Sequence, residues 1–188
     1  MKLHLKAFLI VVVIGVVGGW LFNHFVLSNF HEDTGSQKSV ELMEKQGIPD
    51  FTGKTLDGKS FQLHSMTGKV VIINFWASWC SPCIEEVPSL IKLVKDQKGD
   101  VQLVAVSEDS SIQDIEIFLK SFPELRHQDI QIIWDGDHSL MKQFDAARLP
   151  ESLVADKQMK LAKKIIGSIN WFTPDSTAYM KSLSQRRL

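Results

Sequence analysis

The stretch Val70-Val71-Ile72-Ile73-Asn74-Phe75-Trp76-Ala77-Ser78-Trp79-Cys80-Ser81-Pro82-Cys83 passes from a strand pattern to a helix pattern within a few residues. Its first half is a short apolar run, rich in β-branched and aromatic side chains, as expected of a strand buried in a parallel sheet. Beyond it, Ile84, Val87, Leu90, Ile91 and Val94 recur at spacings of three and four, which predicts one buried face of a helix. The chain has 2 cysteines, Cys80 and Cys83, and both fall at the start of that helix. Unpaired N–H groups and the helix dipole favour an anion there, so a thiolate is stabilised and the cysteine becomes nucleophilic near neutral pH.

A Cys-x-x-Cys pair can also be half of a zinc site or a simple staple. Zinc needs four ligands, and no second Cys or Cys/His pair stands at a suitable spacing; His64, His127 and His138 are scattered singly. As a staple the bridge would close a very short loop and remove little entropy from the unfolded chain. Placement after a strand favours redox chemistry.

Outward from this segment, strand and helix signals alternate. Phe51 to Leu56 and Ser60 to Leu63 flank Asp57-Gly58, a turn dipeptide, and predict a small hairpin. Strands are expected at Val70–Trp76, Val101–Val106, Ile130–Trp134, Glu151–Ala155 and Lys160–Ile166. Helices are expected at Ser81–Lys98, Ile112–Phe122, Ser139–Phe144 and Thr173–Leu183, the last with Thr173 before Pro174 as a start signal. Pro88 lies inside the first of these and predicts a kink. The alternation means an α/β fold with a mixed central sheet flanked by helices.

The 188 residues suit one domain plus attachments, and 44% hydrophobic side chains suffice for a core. A net charge of −1, with no basic stripe, excludes nucleic-acid binding from the expected functions. Residues 1–28 are a separate object. Lys2 and Lys6 precede an uncharged apolar run that reaches Leu27, about 30 Å as a helix, which predicts an N-terminal transmembrane helix. The flanking lysines predict a cytoplasmic N-terminus and export of everything that follows. Around Gly18-Gly19-Trp20 the sequence suits a cleavage site poorly, and a lipid anchor would need a cysteine near residue 20, so an uncleaved anchor is the expectation. Residues 29–47 are polar and read as a tether with a helical turn near Val40–Lys45; residues 48–188 form the exported domain. Export leads to an oxidising compartment, where a reactive cysteine pair matters.

Pro49-Asp50-Phe51, the run from Gly68 to Cys83, Glu86 and Pro88, Leu149-Pro150-Glu151-Ser152 and Gly167-Ser168-Ile169-Asn170-Trp171 occur in one order along the chain. Together they resemble the membrane-anchored TlpA/ResA/CcmG-like thioredoxins of bacteria, from about Ile48 to the C-terminus. Trp-Cys-x-Pro-Cys after a buried strand is the most specific part of that likeness. The resemblance implies a thioredoxin-like fold and a thiol–disulfide oxidoreductase that needs no cofactor or metal. It implies a single-pass protein of the cytoplasmic membrane, with its catalytic domain on the extracytoplasmic side. Its substrates would be protein disulfides, apocytochrome c during cytochrome c maturation among them, and its electrons would come from a membrane thiol-transfer protein.

Cys80, nearest the helix N-terminus, is expected to be the nucleophile, and Cys83, one turn inward, the thiol that resolves the mixed disulfide. Ser81-Pro82 supplies no cation to stabilise the thiolate, which tilts the pair towards reduction. Glu86 follows Cys83 by three and shares its helix face, whereas Glu85 points away. The resemblance gives a glutamate at this spacing the role of proton donor or acceptor for the buried thiol. Asn74 stands where general thioredoxins carry a buried aspartate, which strengthens the case for Glu86. Pro150 resembles the family's cis-proline opposite the cysteines, so Leu149 and Glu151 would border the substrate groove. Trp79 is expected to touch substrate and Trp76 to sit in the core. Two alternatives stand beside the oxidoreductase. A thiol peroxidase of this related fold needs a threonine three residues before its cysteine, where this chain has Ala77. A non-enzymatic copper-binding assembly factor would use the two thiolates, which suit Cu(I), but no methionine or histidine cluster adjoins them.

Overall fold

The computed structural model describes residues 13–24 and 33–186. Residues 13–24 are helical (α1) and expose Val13, Ile14, Val16, Val17, Trp20, Leu21 and Phe22. Among the described residues no helix is long and apolar enough to cross a membrane, and the rest of the expected span lies outside them. A second helix, α2, runs over Asp33–Gln46, so the single turn expected near Val40–Lys45 is part of a longer element. Met43, near its C-terminal end, and Ile48 just beyond it are buried in the core of the following domain.

The hairpin pairs β1 (Thr52–Lys54) with β2 (Ser60–Gln62) in antiparallel register. Gly58 turns the chain with φ of 81°, a left-handed conformation that side chains disfavour. The main sheet contains β3 (Val70–Trp76), β4 (Val101–Ser107), β5 (Ile130–Trp134), β6 (Glu151–Ala155) and β7 (Leu161–Ile166) in the order β5-β4-β3-β6-β7. β4 lies parallel to both β3 and β5, whereas β6 runs antiparallel to both β3 and β7, which makes the sheet mixed as expected. All seven residues of β3 are buried, as its unbroken apolar run required of a central strand.

The pleat of β3 divides the core. Val70, Ile72 and Trp76 face Cys83, Val87, Leu90 and Val94 of α3 (Ser81–Asp96), with Ile115 and Phe118 of α4 (Ile112–Ser121) and Met180 and Leu183 of α6 (Pro174–Ser184) in the same cluster. Val71, Ile73 and Phe75 belong to the other cluster, with Phe51, Phe61, Leu63 and Phe144. Each large side chain buried in this way contributes about 1.5–3 kcal/mol. The short helix α5 (Ser139–Gln143) follows β5. Helix α3 continues through Pro88 and stops two residues earlier than the pattern predicts, because Lys98 and Gly99 adopt positive φ. Helix α4 stops at Ser121, since Phe122 precedes Pro123 and is driven out of the helical region.

Candidate active site

Trp76, Ser107 and Trp134 are in register, so the three parallel strands end at one edge of the sheet. β6 starts at that edge, with Glu151 opposite Phe75. Four segments separated in sequence therefore meet: the turn after β3 that carries the cysteines, Glu108-Asp109 after β4, Asp135 to His138 after β5, and Leu149-Pro150 before β6. Crevices beyond the carboxyl ends of parallel strands are where open α/β sheets bind ligands.

Cys80 caps α3 with extended φ and ψ, and its sulfur accepts a hydrogen bond from the Cys83 N–H at 3.3 Å. Cys80 and Cys83 are joined as a disulfide. Cys80 remains 6% exposed and Cys83 is wholly buried, so an incoming group meets Cys80 first. The turn leading to Cys80 is held by Asp109, whose buried carboxylate accepts from the Ser78 N–H at 3.1 Å and from the Ser78 and Ser107 hydroxyls at 2.7 Å. The Glu108 N–H donates to the Trp76 carbonyl at 2.8 Å and ties the end of β4 to that of β3.

A groove lies over the sulfur of Cys80. Trp79, Ser81 and Pro82 form one side, and Glu108, His138, Met141 and Ala147 to Leu149 line the rest. Trp79 is 68% exposed, whereas Trp76 is buried and its ring packs on Phe118 at 4.7 Å. The Leu149–Pro150 peptide is cis, and the Pro150 carbonyl accepts from the Gly167 N–H at 2.9 Å. Leu149 lines the groove, but the side chain of Glu151 does not. Glu151 is 1% exposed, pairs with Lys164 at 2.8 Å and accepts from the Ala147 N–H at 3.1 Å. The Ala147 hydrogen bond ties Glu151 to the segment before Pro150.

Beneath the disulfide, one turn along α3 from Cys83, Glu86 is buried. Asn74 Nδ2 donates to its Oε1 at 2.9 Å and to the Ser152 hydroxyl at 2.9 Å. Its Oε2 accepts from Trp171 Nε1 at 3.2 Å and from the Ile169 N–H at 3.4 Å. Burial pushes the Glu86 carboxyl above the ordinary glutamate range, and these three donors pull it partly back. Asn74 and Glu86, singled out from sequence, are thus brought into contact. Trp171 joins them through the loop after β7.

Glu108 and His138 were not legible as site residues. Glu108 is 4% exposed, its Oε2 is paired with His138 Nδ1, and its carboxyl also meets the side chain of Asp135. Burial, reinforced by Asp135, pushes its carboxyl up to about 7, and the His138 hydrogen bond works against that rise. The available signal was topological: a carboxylate directly after a strand that neighbours the cysteine strand. His138 caps α5 in a left-handed conformation with no side-chain cap bond, which leaves its ring to Glu108. Among the described residues no group of three or more His, Cys, Asp or Glu side chains is arranged to hold a metal ion.

The Redoxin family model matches residues 43–180. The chain belongs to the Redoxin family. As a Redoxin it is similar over most of its length to the thiol-disulfide oxidoreductase ResA of Bacillus cereus, being 27% identical over 167 residues that cover 88% of each chain. It is also similar to a solved structure from Chlorobium tepidum assigned as the thiol:disulfide interchange protein DsbE. There the TM-score is 0.61 and the identity 25%, covering 73% of this chain and 92% of that one. The exposed lipoprotein thioredoxin Etrx1 of Streptococcus pneumoniae gives a TM-score of 0.59 at 26% identity, covering 72% of this chain and all of that one. The mixed sheet, its flanking helices and the N-terminal hairpin constitute a thioredoxin-like fold. The protein is a thiol–disulfide oxidoreductase of the ResA/DsbE type, with Cys80–Cys83 as its Cys-x-x-Cys disulfide.

Proposed function

We propose that this oxidoreductase is held in the cytoplasmic membrane by residues 1–28, faces the extracytoplasmic side, and reduces protein disulfides there, with apocytochrome c as its substrate class. A polar segment follows the anchor, and the catalytic domain begins with the C-terminal end of α2, where Met43 joins its core. The asymmetry of the cysteine pair carries the reading: Cys80 opens into the groove and Cys83 is sealed beneath it. In the reduced protein the Cys80 thiolate attacks a substrate disulfide, forms a mixed disulfide and releases the first substrate thiolate. Cys83 then attacks Cys80, closing the Cys80–Cys83 bond and releasing the second substrate sulfur as a thiolate. Glu86 takes the proton of Cys83 as that thiol becomes the nucleophile. A membrane thiol-transfer protein returns the two electrons.

Trp79, Leu149 and Pro150 form the docking surface for the extended substrate, and Glu151 contributes through the backbone it braces. The direction is favoured by Ser81-Pro82, which adds no cation to stabilise the Cys80 thiolate. Anchoring is favoured by the apolar run between Lys6 and Leu27 and by the exposed apolar side chains of residues 13–24. The extracytoplasmic side is favoured by the likeness to an exposed lipoprotein thioredoxin.

Substrate trapping tests the proposal. A full-length Cys83→Ser protein in its native envelope should accumulate disulfide-linked complexes that contain apocytochrome c. Complexes with other envelope proteins alone would overturn the substrate class, and full turnover by the variant would overturn the assignment of the two cysteines.

A further inference from the structure

Two buried carboxylates belong to the surroundings of the disulfide. Glu86 follows Cys83 by one turn of α3, and Glu108 lies in the wall of the groove that Cys80 also lines. The groove-side carboxylate is built into place. The Glu108 N–H is fixed to the Trp76 carbonyl, its Oε2 is engaged by His138 Nδ1, and its buried carboxyl also meets the side chain of Asp135. Burying a carboxylate beside a second acid disfavours its charged form, and groups kept in that state cluster at reacting sites.

We propose that Glu108, held by His138, is a second proton-transfer group, serving Cys80 and the substrate sulfur in the groove. This rests on the reductase reading above and extends it. The Cys80 thiol gives its proton to the Glu108 carboxylate, and the thiolate so formed attacks the substrate disulfide. The substrate thiolate that is displaced then takes that proton from Glu108, so the carboxylate is regenerated and no proton is lost to solvent. The two electrons pass from the cysteine pair to the substrate, as in the uncatalysed exchange.

The ionisable groups around Glu108 set its behaviour. His138 faces it from the start of α5, Asp135 from the end of β5, and Cys80 and Arg148 share its groove. His138 favours the charged carboxylate and Asp135 disfavours it, which gives substitutions opposite signatures.

The test is the pH dependence of exchange between the reduced full-length protein and a peptide disulfide. The wild-type rate should carry an inflection at about 7 in addition to that of the thiol. Glu108→Gln should remove this inflection and slow exchange above it by roughly a hundredfold, the low end for general acid–base catalysis. His138→Ala, at a half-exposed ring, should keep the inflection and move it to higher pH. A Glu108→Gln profile that superimposes on wild type, or a His138→Ala shift to lower pH, overturns the proposal. If Glu108→Gln does not fold, the direction of the His138→Ala shift decides. A wild-type protein that exchanges no disulfide at all would instead overturn the reductase reading on which this one rests.

Discussion

Three N–H donors converge on Glu86, from Asn74, Trp171 and Ile169, and a carboxylate can accept from all of them. A glutamine cannot, because one of its two terminal atoms is itself a donor. Glu86→Gln is therefore expected to cost about 1–3 kcal/mol in denaturant unfolding of the oxidised protein, the usual cost of mispairing a buried polar group. It should also alter the pH profile of Cys83 in the reduced protein; a variant with wild-type stability and profile would remove Glu86 from both roles. Helical spacing made this residue legible, since Cys83 and Glu86 are one turn apart on an amphipathic helix. No such rule reaches Glu108 and His138, because 30 residues separate the partners and β5 intervenes. Glu151 is the converse case. Adjacency to Pro150 marks it for the groove, whereas its side chain is buried and paired with Lys164.

At the scale of elements, α2 departs most from the composition of its segment. Residues 29–47 are polar enough to read as a tether, yet Asp33–Gln46 is helical and Met43 is 5% exposed. Few large apolar contacts are needed to dock a helix end when a hydrophobic surface waits for it, and Phe51, Phe61 and Met159 belong to the cluster that Met43 joins. Met43→Ala is expected to destabilise the domain by about 2 kcal/mol, the lower end for a buried methionine. Urea unfolding of the full chain checks this; a change below about 0.5 kcal/mol, ordinary for a surface site, would return α2 to the tether. The ends of α3 and α4 moved by smaller amounts. Left-handed Lys98-Gly99 and the residue before Pro123 stop these helices locally, and hydrophobic periodicity is blind to both.

Across the whole molecule, two buried glutamates point the pH dependence one way and three surface aspartates the other. Glu86 and Glu108 have raised carboxyl groups, so between the ordinary glutamate range and about 7 the native state binds more protons than the unfolded chain. Stability should fall as pH rises through that window. Asp50, Asp57 and Asp137 are lowered by hydrogen bonds, so their contribution is lost as pH falls below the ordinary aspartate range. Urea midpoints of the oxidised protein should therefore peak in mildly acidic buffer, with a flatter alkaline limb in Glu108→Gln. A midpoint that rises steadily from pH 5 to pH 8 would contradict these shifts.

Hydrophobic period, turn dipeptides and the position of the cysteines are local properties, so the α/β class, the hairpin, the Cys80–Cys83 pair and the Glu86 spacing could be read from the chain. Which carboxylates surround the disulfide could not. Strand order β5-β4-β3-β6-β7 brings the ends of β3, β4 and β5 and the start of β6 to one edge, and the resulting burial sets each acid's proton affinity. Burial and neighbouring charge belong to positions in space. Glu86 therefore lies beneath the cysteine pair, Glu108 in the groove beside it, and Glu151 beyond reach of the groove.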